Sequence, residues 1–162
     1  MNVEIIQRYN KDYFLENYYE WLKYRSKFRK HQKNVGIFLM FLGFILGMIF
    51  FFQYNSSSFI FPLVFFFGVG MIFNFYYTKH TWLKERFTSK QNDREIKICF
   101  DDNKMCSISE FGSSNLDWSF FTDAIKTEKG LFLLLGNGTS IYIQKSVLHE
   151  NYMDEIIKHI KN

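Results

Sequence analysis

The side chains that could do chemistry are few and widely spaced. His31, His80, His149 and His159 form neither an H-E-x-x-H helix nor a Cys/His cluster with zinc spacing. Cys99 and Cys106 fall on predicted strands, away from the basic helix terminus that activates a thiol, and in a reducing cytosol they read as free thiols on a strand face. Gly136 and Gly138 flank Asn137 in a predicted hairpin, whereas a phosphate-cradling loop needs a strand-to-helix turn. Gly138-Thr139-Ser140-Ile141-Tyr142 begins like a nucleophile elbow but lacks the closing Gly. Asp101 and Asp102 are adjacent in a predicted turn, where carboxylates favour local backbone bonds. No catalytic, cofactor-binding or metal-binding set emerges, so the expectation is a protein that binds and does not catalyse.

The cations offer a different chemistry. Lys23, Arg25, Lys27, Arg29, Lys30 and Lys33 precede a long uncharged run, and Lys84 and Arg86 follow it. A Lys or Arg near an anionic membrane surface is worth about 1 kcal/mol before screening, which makes these residues candidate lipid-headgroup contacts. The alternative is that they only anchor and orient the neighbouring helices. Net charge is +4, but the positive side chains gather beside the apolar runs, so lipid is a simpler partner than nucleic acid.

What must position these residues is a pair of membrane helices. Val35 to Phe52 is 18 uncharged residues and Phe59 to Tyr77 is 19, and 13 of the 21 Phe lie inside them. As helices they span about 27 and 28 Å, close to the roughly 30 Å hydrocarbon core. Such aromatic enrichment excludes a disordered chain, and two Cys in 162 residues exclude a disulfide scaffold. The polar loop Gln53 to Ser58 has no Lys or Arg, so the positive-inside rule puts both termini in the cytoplasm and the loop outside.

Gly36, Gly43 and Gly47 share one face of the first helix and permit close approach of another backbone. The partner is either the second helix, through Gly68 and Gly70, or a second protomer. Asn74 is the strongly polar side chain inside the second run, and one interhelical amide hydrogen bond accounts for it. With no charged side chain in either run, transport is disfavoured.

Lys11 to Lys33 has a helical pattern with Asn10 as N-cap, and Phe14, Tyr18, Trp21, Leu22, Arg25 and Phe28 lie roughly on one side, suited to a lipid surface. After Arg94 short alternating runs appear. Ile96, Ile98 and Phe100 point one way, Asp101 to Lys104 turn, and a second strand follows to Glu110, placing Cys99 opposite Cys106. Phe120 to Thr127, Leu131 to Leu135 and Ser140 to Gln144 continue a meander. Val147 to Ile160 has a helical period, with Leu148, Tyr152, Ile156 and Ile160 on one face. Residues 94 to 162 are a small unit with a limited core, so the strand-like Asn2 to Arg8, on the same side of the membrane, is expected to join their sheet.

Asp117-Trp118-Ser119-Phe120-Phe121, a strand with Lys126, the Leu131 to Leu135 hairpin arm and Ile141-Tyr142-Ile143-Gln144-Lys145 together resemble the YcxB-like family of small bacterial membrane proteins. The resemblance implies an N-terminal segment, two membrane helices and a C-terminal pleckstrin-homology-like (PH-like) sheet closed by a helix. It implies no reaction. Gln144 stands where family members usually have Pro. Trp118 and Lys145 are its motif residues. Trp118 reads as a core ring under the closing helix or as a ligand-stacking ring, and Lys145 as a solvated strand end or a grip for an anion.

The expected architecture is a membrane α+β protein. Residues 1–33 supply a strand and a basic aromatic juxtamembrane helix, 34–78 a transmembrane hairpin (35–52 and 59–77), 79–93 a connector, and 94–162 a small cytoplasmic PH-like antiparallel β domain closed by a C-terminal helix. The functional expectation is a multi-pass protein of the bacterial inner membrane that presents a protein-binding or assembly module, alone or as a homo-oligomer. The alternative is a sensor of anionic lipid through the basic flank. No cofactor and no nucleic acid are expected.

Overall fold

A computed structural model describes residues 2–54 and 59–161. The elements run β1 (Val3–Arg8), α1 (Lys11–Tyr24), α2 (Arg29–Tyr54), α3 (Ile60–Phe87), β2 (Glu95–Phe100), β3 (Lys104–Ser109), β4 (Gly112–Asp117), a turn of 3-10 helix, β5 (Phe121–Lys126), β6 (Gly130–Leu135), β7 (Ser140–Gln144) and α4 (Glu150–Lys161). They form two compact units. One takes the chain up to Tyr24 and from Arg86 onward, and the other is Arg25–Glu85.

The first unit holds a four-stranded sheet, β1-β2-β3-β4, and a three-stranded sheet, β5-β6-β7, both antiparallel. Residues 3–8 do join the C-terminal sheet, with Ile5 opposite Ile98. Strict alternation turns Val3, Ile5 and Gln7 inward, beside Ile96, Ile98 and Phe100. The β2–β3 turn forms because Asp101 accepts the Asn103 and Lys104 backbone N–H groups, each at 2.7 Å, and the register sets Cys99 against Cys106. Leu131, Leu133, Ile143, Leu148, Met153 and Ile156 complete a core shared by both sheets and α4.

Three local expectations change. Residues 112–117 are a strand: Gly-Ser-Ser-Asn has little strand propensity, but the segment pairs with β3 from Ser109↔Gly112 to Lys104↔Asp117 as an edge. The closing helix starts at Glu150 and buries Met153 and Ile156 with Ile157 and Ile160 packed beside them, while Tyr152 is exposed, because the i, i+3, i+4, i+7 stripe begins at Met153. The expected helix from Lys11 to Lys33 is two helices. Asn10 does cap α1, its side chain accepting the Tyr13 N–H at 2.8 Å, but Ser26 accepts the Arg29 N–H at 3.2 Å and starts α2 afresh.

The second unit is a helical hairpin. α2 and α3 are each long and apolar enough to cross a bilayer, and only 11% and 6% of their apolar windows are buried, unlike the core helix of a water-soluble protein. Residues 53 and 54 of the expected outer loop end α2, and residues 55–58 lie outside the described residues. Gly36 packs on the Gly68 carbonyl, and a Cβ on Gly43 would stand 2.6 Å from the Phe65 backbone nitrogen. A Cβ on Gly47 would lie 3.5 Å from the Phe61 Cβ, so this glycine face meets the second helix of the same chain and the pair runs antiparallel. Gly70 has no part in it, since a Cβ there meets nothing within 4 Å. Asn74 does not supply the interhelical amide bond, because its position on α3 leaves it exposed. Gln32, buried, donates from Nε2 to the Met71 carbonyl at 3.2 Å instead.

Candidate functional site

The first unit is closed by a polar clamp built from segments that precede and follow the hairpin. Gln7 on β1 is fully buried; its Nε2 donates to the Tyr142 carbonyl and its Oε1 accepts the Gln144 N–H, both at 3.0 Å. One side-chain amide thus satisfies two backbone groups of β7, as a neighbouring strand would. Tyr13 on α1 also donates its hydroxyl to the Tyr142 carbonyl, at 3.1 Å. The Tyr142 hydroxyl and the Gln144 side-chain amide converge on one oxygen of Glu16, at 2.8 and 3.1 Å.

Burial, then the neighbouring Tyr9, pushes the Tyr13 phenol well above its ordinary value of 10.0. Burial, then the Glu16 carboxylate that accepts its hydrogen bond, raises the Tyr142 phenol too. Phe14 and Tyr18, expected to face lipid, are buried in this unit, because the apolar side of α1 packs inward. Sequence reasoning missed Gln7, Glu16 and Gln144. Their one signal was a Gln at an inward position of a strand, where an unpaired amide would be costly.

The four-stranded sheet leaves its other face open. Ile6, Lys97, Ile108 and Ser113 lie opposite one another in register across all four strands. Ile6 is 60% and Ile108 48% exposed, and Phe111, in the β3–β4 turn, is 52% exposed. The next row on that face contains Glu4, Cys99, Cys106 and Asn115. Both thiols are free and half-buried. Burial, then the Cys106 thiol beside it, pushes Cys99 up from 9.0 to about 11, which lowers its thiolate fraction at neutral pH.

Trp118 is a packing ring. It stacks between Phe100, at 6.2 Å, and His159 on α4, at 5.7 Å, and its Nε1 donates to the Asp101 carbonyl at 3.1 Å. Lys145 pairs with Glu150 and Lys126 with Asp154, tying the start and middle of α4 to the sheet end and β5. Lys145 holds the Glu150 carboxyl below its ordinary value.

The basic residues divide between the two units. Lys23 pairs with Glu128 in the first unit, and Arg86 is exposed there. Within the second unit Lys27, Lys30, Lys33 and Lys84 are exposed, Arg25 and Arg29 are half-buried, and the Lys33 ammonium lies 5.7 Å from the Tyr76 ring. Among the described residues no group of three or more His, Cys, Asp or Glu side chains could hold a metal ion. No family model, curated protein or solved structure matches this chain.

Proposed function

We propose that this chain is a membrane-anchored interaction module of the bacterial inner membrane, acting by binding a protein partner and not by catalysis. Two features support the anchor: the apolar side chains of α2 and α3 lie exposed, and residues from both sides of the hairpin build one folded unit. A chain that leaves and returns to a single unit crosses a bilayer an even number of times. The basic flanks then favour the cytoplasm for that unit. Two antiparallel sheets of four and three strands with a C-terminal helix fit the PH-like domain implied by the resemblance to YcxB-like proteins.

One observation carries the choice of a protein partner. Ile6 and Ile108 stand exposed on either side of Lys97 on the open sheet face, and Phe111 is exposed in the turn that leads into β4, the edge strand. Exposed apolar side chains beside a strand edge suit the side chains and backbone of a protein. The test is a photo-crosslinking residue at Ile108 in the full-length chain in native membranes. A discrete protein adduct that disappears in Ile6→Asp and Lys97→Glu variants supports the reading, and adducts to lipid alone reject it.

The exposed Lys27 and Lys30 favour a second reading, contact with anionic headgroups. Here Lys27→Gln with Lys30→Gln weakens the preference of the reconstituted protein for anionic over neutral lipid. An unchanged preference removes that reading.

A further inference from the structure

Asn74 presents an amide to the outside of the hairpin. Leu63, Phe67, Gly70, Asn74 and Tyr77 follow one another at spacings of four, three, four and three, which places them along one stripe of α3. Leu63 is 67%, Phe67 65% and Tyr77 60% exposed. The stripe lies about 180–260° round the helix from Gly68, which is buried against α2. Asn74 itself is exposed, roughly 7 Å on the apolar side of Lys79.

An amide at that depth needs hydrogen-bond partners that hydrocarbon cannot give. The same helix pair answers another side-chain amide internally, through Gln32 and the Met71 carbonyl. Among the described residues Asn74 has no such answer within the hairpin.

We propose that a second copy of this chain covers the stripe, the two Asn74 amides pairing across a two-fold axis. An amide carries both donor and acceptor, so it complements itself. A copy inserted with the same topology brings the matching amide to the same depth, which few other membrane proteins would do. Gly70, one turn earlier, leaves open space in which the facing backbone can approach. This inference rests on the membrane reading above and adds the partner of one helix face.

Sedimentation equilibrium of the full-length chain in density-matched detergent micelles tests it. A reversible dimer is expected. Asn74→Leu raises its dissociation constant by roughly tenfold, and Asn74→Gln retains most of the affinity. Gly70→Leu weakens the dimer too and leaves the hairpin intact, because nothing lies within 4 Å of the added Cβ. A chain monomeric at every protein-to-detergent ratio overturns the inference, and so does a dimer indifferent to both leucine variants. Either result leaves the membrane reading standing. A chain that is monodisperse in buffer without detergent overturns both.

Discussion

Gln7 and Tyr142 lie 135 positions apart, yet the Gln7 side-chain amide donates to the Tyr142 carbonyl at 3.0 Å. Every residue of the hairpin falls between them in the chain. The bond therefore ties the segment that enters the hairpin to the strand that completes the second sheet. Both residues are buried, so water does not replace the bond.

Replacing Gln7 by Leu keeps roughly the side-chain size and removes both hydrogen bonds, leaving the Gln144 N–H without its partner and the Tyr142 carbonyl with the Tyr13 hydroxyl alone. The expected loss is about 1–3 kcal/mol, read as a lower thermal midpoint of the β unit in the full-length chain in detergent. Ile6→Leu, on the outward face of the same strand, serves as the control and leaves the midpoint unchanged within error. Equal midpoints for Gln7→Leu and the parent would remove the clamp from the account.

Alkaline pH should weaken the same region. The Tyr13 and Tyr142 phenols are raised above 10.0 in the folded state, so above about pH 10 the unfolded chain releases protons that the folded chain retains. Stability from these groups is complete below about pH 10 and falls as pH rises further. Thermal melts across that range, followed with tyrosinate absorbance, should slope downward, and Tyr142→Phe should flatten the slope. Identical slopes in the two proteins would contradict the assignment.

Two glycines of the hairpin should respond differently to one methyl group. At Gly43 an added Cβ would stand 2.6 Å from the Phe65 nitrogen and 2.8 Å from the Phe61 carbonyl, both rigid backbone. Gly43→Ala is expected to force the helices apart at a cost of about 1–3 kcal/mol, measured by detergent-driven unfolding. Gly70→Ala, with open space around it, should leave hairpin unfolding unchanged. The reverse ranking would place the helix contact on the wrong face.

Much of the fold is legible in local chemistry. The alternation of Ile96, Ile98 and Phe100, the carboxylate of Asp101 at a turn, and Asn10 before an amphipathic run act over a few residues, and each produces the element it predicts. β4 escapes because its Gly-Ser-Ser-Asn stretch has no preference of its own and takes strand geometry from β3. The break at Ser26 escapes because the cations on either side continue a helical pattern through it, while the Ser26 hydroxyl caps a new helix.

The candidate site was less legible than the fold. Lys23 and Lys33 belong to one basic stretch of sequence, but their neighbours differ: Glu128 for the first, the Tyr76 ring for the second. Phe14 and Tyr18 are equally suited to lipid and to a protein core, and composition cannot choose between them.

By itself the sequence determined that two uncharged stretches would form long apolar helices, because a transfer free energy sums over residues wherever they later lie. It likewise settled the β2–β3 hairpin and its cysteine register, since both follow from neighbours along the chain. Only the tertiary structure decided that Gln7 would satisfy β7, that Gln32 and not Asn74 would bond across the helices, and that the aromatic side of α1 would turn inward. Those outcomes depend on which polar groups meet at distance, and no local preference encodes that meeting.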